Sequence, residues 1–244
     1  MKKLFILLMV CGFVALSART ASAMVIPFAD TAIYWPGWNN GTADDYQDRI
    51  GAPEFTGGSA TVIDNKLMSL SIVGAFHWST LLSPGDLFID LGANNSWDYA
   101  VDLTSWTVAG PSNPDPALGN YDLYSINLAL ADASGYIFSD SPAWTSNIRD
   151  KHPVALDITG LQASGKVGFS GWSNTNPPSS YPLVFNFGNG LDLGQSSKFI
   201  IGFGTNCAND VIYNTLNAVP EPGTMTLLGL GLSGLAFIRR RKLA

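Results

Sequence analysis

Apolar residues recur at every second position in eight stretches of the chain, the spacing of strands with one buried face. In "WDYAVDL", Trp97, Tyr99, Val101 and Leu103 point one way, and Asp98, Ala100 and Asp102 the other. "MSLSI" places Met68, Leu70 and Ile72 inward, and "DLFIDL" does so with Leu87, Ile89 and Leu91. "LYSINLALA" sets Tyr124, Ile126, Leu128 and Leu130 against Ser125 and Asn127. The remaining four stretches offer Val154/Leu156/Ile158, Val167/Phe169, Leu183/Phe185/Phe187 and Phe199/Ile201/Phe203. Turn formers separate these runs, such as Ser83-Pro84-Gly85-Asp86, Asn94-Asn95-Ser96 and Gly188-Asn189-Gly190. No long amphipathic helical pattern interrupts them, although Asp44 to Ile50 fits a single helical turn. Short strands with close turns and no crossover helices predict an all-β, single antiparallel domain of β-sandwich or jelly-roll type.

The two ends break the pattern. Lys2 and Lys3, an apolar run from Leu4 to Leu16, and Ala21-Ser22-Ala23 together predict a secretory signal helix over residues 1–23, with the mature start near Met24. At the other end, Val219-Pro220-Glu221-Pro222-Gly223 leads into an uncharged run over 223–238. Prolines hold the first part extended. The apolar run is short for a membrane span, but Arg239 can snorkel to lengthen it. Arg239, Arg240, Arg241 and Lys242 should stay cytoplasmic, which places the preceding domain outside. The chain thus divides into a signal over 1–23, a β domain over 24–217 and a C-terminal segment over 218–244. That last segment holds a transmembrane helix at 223–238 and a basic tail at 239–242.

This order of Pro-Glu-Pro, apolar helix and basic tail resembles the PEP-CTERM sorting signal. The resemblance implies recognition by an exosortase, a membrane protease of Gram-negative bacteria. It further implies export through the inner membrane, processing near the Pro-Glu-Pro, and a cell-surface or extracellular destination linked with exopolysaccharide. The body has a looser resemblance to a group of exported PEP-CTERM proteins, through "IGAPEFTGGSATV", "LLSPGDLFID", "WDYAVDL", "RDKHPV" and Cys207-Ala208-Asn209-Asp210. The position of Ala208 often holds Gly in that pattern. No assigned catalytic residue comes with this resemblance.

Charge narrows the partners. The whole chain carries a net charge of −6; without the seven basic residues and one acid of the two ends, the body carries −12. Such a body repels nucleic acid and anionic lipid. Nearly all its acids are Asp, which suits turns and strand ends. Cys207 is the one cysteine left once the signal is removed, so no intrachain disulfide forms.

Candidate chemistry remains in three places. Asp90, Asn94, Asn95 and Asp98 crowd one turn and could offer oxygens to calcium; the competing reading is ordinary Asx capping. Asp44, Asp45 and Asp48 form a second, weaker cluster. Trp35, Trp38, Trp144 and Trp172 lie among Pro, Gly, Asn and Ser, where an aromatic ring can stack on a sugar; the competing reading is that they seal loops onto the core. Trp97 alternates inward and reads as core. Hydrolysis has no Gly-x-Ser-x-Gly elbow, and Glu54 is the one glutamate of the body, so no catalytic residue is assigned. Two histidines, His77 and His152, do not make a zinc motif with one cysteine. The expectation is a non-enzymatic surface or matrix protein without an obligate cofactor, with a carbohydrate- or calcium-binding module as the alternative and a secreted hydrolase behind it.

Overall fold

The computed structural model describes residues 23–31, 54–75, 84–103, 106–107, 110–111, 119–129, 135–138, 153–171, 182–205 and 210–218. Their elements, in order, are β1 (Ala23–Ala29), β2 (Glu54–Ile63), β3 (Lys66–Ala75), β4 (Pro84–Leu91), β5 (Ser96–Asp102), β6 (Trp106–Thr107), β7 (Gly110–Pro111), β8 (Gly119–Ala129), β9 (Tyr136–Phe138), β10 (Pro153–Leu156), β11 (Ala163–Ser170), β12 (Leu183–Asp192), β13 (Lys198–Thr205) and β14 (Val211–Asn217). The all-β, antiparallel expectation holds among these residues. The predicted signal helix and transmembrane helix lie outside them, apart from Ala23. No described helix is long and apolar enough to cross a membrane.

The predicted pair of facing sheets is instead one sheet. Ten strands run β1-β2-β3-β12-β11-β8-β5-β4-β13-β14, each antiparallel to its neighbours. The sheet curls onto itself like a barrel. Phe185 of β12 meets Phe203 of β13 at 5.7 Å between ring centroids, although these strands lie five places apart in the sheet. Phe55 of β2 meets Phe203 at 5.5 Å. Period-two alternation reports a buried face but not whether that face meets a second sheet or its own far side.

Closure is made by side chains. The edge strands β1 and β14 share no ladder among the described residues, but Asn214 Nδ2 donates to the Ala29 carbonyl at 3.1 Å. Asp210, buried just before β14, accepts from the Phe55 amide of β2 and, at 3.0 Å, from the Val211 amide. Pro27 sits in β1, an edge strand, where a missing N–H is tolerated.

The interior is filled by Ala60, Val62, Leu67, Leu70, Ile72, Leu87, Ile89, Val101, Phe169, Leu183, Phe185, Phe199 and Ile201, among others. A second cluster forms on the outer face from Phe88, Trp97, Ala100, Tyr124, Leu128, Ile200 and Val211, with Leu156 of β10 laid over it. The β9–β10 hairpin therefore covers β4, β5 and β13 from outside, and β4 is buried on both faces.

Two bulges shift the sequence-based phase. In β5 the register with β8 jumps between Trp97 and Tyr99. Tyr99, Val101 and Leu103 face the interior as expected, whereas Trp97 turns to the outer cluster and stacks against Phe88 at 5.6 Å. Trp97 is core, but of the second core. In β3, register breaks against both β2 and β12 place Leu67 inside and leave Met68 half-buried. A bulge inverts every side chain beyond it, and nothing in local alternation announces one.

Strand parity fixes the poles of the molecule. Ten antiparallel strands alternate in direction, so β1 begins and β14 ends at the same pole. Tight turns fill that pole: Asp64–Asn65, with both φ values positive, Gly92–Asn95, and residues 193–197. Hydrogen bonds tie it together, from Leu193 N to Asn65 O (3.0 Å), Gly92 N to Lys198 O (2.9 Å) and Ala218 N to Ser197 O (2.8 Å). The connections 30–53, 76–83, 103–118, 171–182 and 206–210 join strand ends at the opposite pole.

Candidate functional site

The turn read as a calcium candidate links β4 to β5. Asp90 is fully buried. Its Oδ1 accepts from the Asn94 amide and its Oδ2 from the Asn95 amide, each at 3.1 Å. Asn94 Oδ1 accepts from the Ser96 amide at 2.9 Å. Asp98 Oδ2 accepts from the Leu91 amide at 2.6 Å. The four residues are thus brought together, and three of them spend oxygens on backbone N–H groups. Positive φ at Gly92, Ala93 and Asn95 bends the chain so that these amides turn toward Asp90. Burial raises the Asp98 pKa, the Leu91 amide opposes this, and the neighbouring Asp90 charge adds to the rise. Tyr213, from β14, also has its pKa raised, by burial first and then by Asp90. Among the described residues, no group of three or more His, Cys, Asp or Glu side chains is arranged to hold a metal ion.

Two buried acids outside the calcium candidate carry long-range structure, and one of them, Asp86, was expected in a turn but lies within β4. Asp86 Oδ1 accepts from the Leu103 amide at 2.9 Å, and Oδ2 accepts from the Leu156 amide at 2.8 Å. It clips the β9–β10 hairpin onto the outer face of the sheet. Asp210 clasps the seam, as described above, and is the last residue of the Cys207-Ala208-Asn209-Asp210 stretch. Both act between elements 70 or more residues apart, which local spacing cannot reveal. Beside Asp86, burial raises the Tyr124 pKa, and the charges of Asp102, Asp122 and Asp86 raise it further. Asp122 in turn pairs with its cross-strand partner Lys166 at 2.6 Å within the β8–β11 ladder.

Trp35, Trp38, Trp144 and Trp172 lie outside the described residues, as do Asp44, Asp45, Asp48, His77, His152 and Cys207. Topology still orders some of them. The connection carrying Trp35 and Trp38 and the one carrying Trp172 both join strand ends at the pole opposite the chain ends.

Leu216 and Ala218 are buried in the interior cluster, and Ala218 is held to Ser197. The next residues, Val219, Pro220, Glu221, Pro222 and Gly223, and the basic Arg239, Arg240, Arg241 and Lys242, lie outside the described residues. β14 ends at Asn217, and Ala218 is the last described residue.

Comparison with curated proteins and with solved structures returned no match. Comparison with family models matched one, described as the PEP-CTERM protein-sorting motif, over residues 218–242. The matched motif thus begins at Ala218, which is buried and is the last of the described residues, and the chain is a carrier of the PEP-CTERM protein-sorting motif.

Proposed function

We propose that this chain is an exported surface or extracellular-matrix protein, released to its destination by exosortase processing and associated there with exopolysaccharide as a non-catalytic component. The observation that carries the reading is the sorting motif over 218–242, which follows β14 without an intervening domain. Strand parity supports it. The N-terminal apolar run and the C-terminal one leave from the same pole, so both can enter one membrane with the domain standing on its outer side. The body charge of −12 opposes adsorption to anionic headgroups once the signal is removed. The non-catalytic reading rests on the use of Asp86, Asp90 and Asp210 as buried amide acceptors.

Exopolysaccharide co-fractionation tests the destination. In an exosortase-bearing host the processed protein should co-purify with the polymer, and deletion of the exosortase should leave it in the membrane fraction. Equal membrane retention in both strains would reject the reading.

One observation favours a second, narrower role. The strand ends joined by the connections bearing Trp35, Trp38 and Trp172 lie at the pole facing away from the sorting end. A carbohydrate-binding module would present its aromatic rings there. Saturable binding of the processed protein on a glycan array, lost in Trp172→Ala, would support this role; a flat array would remove it.

A further inference from the structure

The fold and the sorting signal share a residue. Ala218 is the first residue of the matched motif and is also 1% exposed within the interior cluster. Its amide donates to Ser197 O at 2.8 Å. Just before it, Asn217 pairs with Lys198 and Leu216 with Phe199 in the β13–β14 ladder. No spacer separates the folded wall from the signal.

The distances are short. An extended chain advances at most about 3.3–3.6 Å per residue. Pro220 thus lies within roughly 7 Å of Ala218, and Gly223, where the apolar run starts, within roughly 18 Å. A protease that takes Pro-Glu-Pro as an extended strand grips main chain on both sides of the bond it cuts. On the N-terminal side that main chain is β14 itself, already paired with β13.

We propose that the C-terminal end of β14 is a latch on sorting: Asn217 and Ala218 must leave β13 before exosortase can seat the Pro-Glu-Pro segment, so local opening of this strand end sets the processing rate. This rests on the sorting reading above. Strand ends are the part of a fold that opens most cheaply. Here the opening breaks the Ala218–Ser197 bond and the Asn217–Lys198 pairing, while Leu216 stays anchored inside. The enzyme is thereby offered its peptide intermittently and always at the pole from which the chain enters the membrane.

The test follows conversion of full-length to processed chain over time in an exosortase-bearing host. A six-residue Gly-Ser insertion between Ala218 and Val219 supplies free chain, and processing should accelerate by roughly 5–30-fold, the factor that one or two released hydrogen bonds correspond to. Lys198→Cys with Asn217→Cys, in a Cys207→Ser background, pins the strand end, since directly opposed antiparallel residues lie within disulfide range. Processing of the pinned chain should slow by about tenfold or more, on the same opening argument, and the insertion should restore it. Unchanged rates in both the insertion and the pinned chain would overturn the latch. The sorting reading fails in a different way: the processed fraction of the unaltered chain would then survive deletion of the exosortase.

Discussion

Asp86 offers the sharpest stability test, because one side chain joins the hairpin to the sheet. Asp86→Ala strips the acceptor from the Leu103 and Leu156 amides, both buried. Hydrogen bonds to a charged acceptor are worth about 1.5–3 kcal/mol each, so the pair amounts to about 3–6 kcal/mol. Removing a buried carboxylate also relieves its desolvation, which draws the net cost toward about 3 kcal/mol. For a domain of this size each kcal/mol moves Tm by about 2–4 °C, so a fall of roughly 6–12 °C is expected. Calorimetry of the processed protein at neutral pH measures it. Asp157→Ala is the control, since Asp157 accepts only a local, exposed bond from Thr159 at 3.0 Å. Hydrogen exchange should show faster exchange at Leu156 in Asp86→Ala, as the hairpin lifts from Phe88 and Ile200. A Tm within about 1 °C of the control, smaller than a surface substitution's usual effect, would refute the clip.

Asp210→Ala should open the seam between β14 and β2: a loss of about 2–4 kcal/mol from two amide bonds, read by chemical denaturation, with protease cuts appearing in β1 or β14 rather than in β4. Gly57 has φ +131°, and a Cβ there would overlap the Phe28 carbonyl; Gly57→Ala should cost at least about 1–3 kcal/mol of strain and release β1 from β2 in hydrogen exchange. Asp98 has its pKa raised by burial and by Asp90, so its native form holds the proton more tightly than the unfolded chain does. Its contribution is therefore fully present below the unfolded pKa and is lost as pH rises through the raised native value. Asp98→Asn, which keeps an acceptor for Leu91, should match the unaltered protein near pH 3 and surpass it in Tm at pH 7; a difference independent of pH would contradict this.

The alternation of Leu183/Phe185/Phe187 and of Phe199/Ile201/Phe203 reads directly as buried face, because both strands bury those residues in the interior. β1, β2 and β14 are harder to see. β1 carries Pro27 and begins at the predicted cleavage boundary, and β2 is diluted by Thr56, Gly57, Gly58 and Ser59. These three strands form the two edges and the seam, so the missing pieces are those that distinguish a curled sheet from a sandwich. Trp97 and Met68 were misphased by bulges that only partner strands impose. The Asp90 turn was legible as a cluster open to calcium ligation or Asx capping, and the amide directions that show its oxygens capping backbone N–H groups are not encoded in residue spacing. The sorting signal was legible in full, since its order of proline, apolar run and basic tail is contiguous in sequence.

The sorting motif over residues 218–242 implies a signal read after export. The intact mass of the mature protein measures it most directly, compared between a host with its exosortase and one without. A chain that starts near Met24 and ends near the Pro-Glu-Pro segment, without Arg239 to Lys242, is expected in the first host alone. A mature chain that keeps Arg239 to Lys242 in the presence of an active exosortase would contradict it.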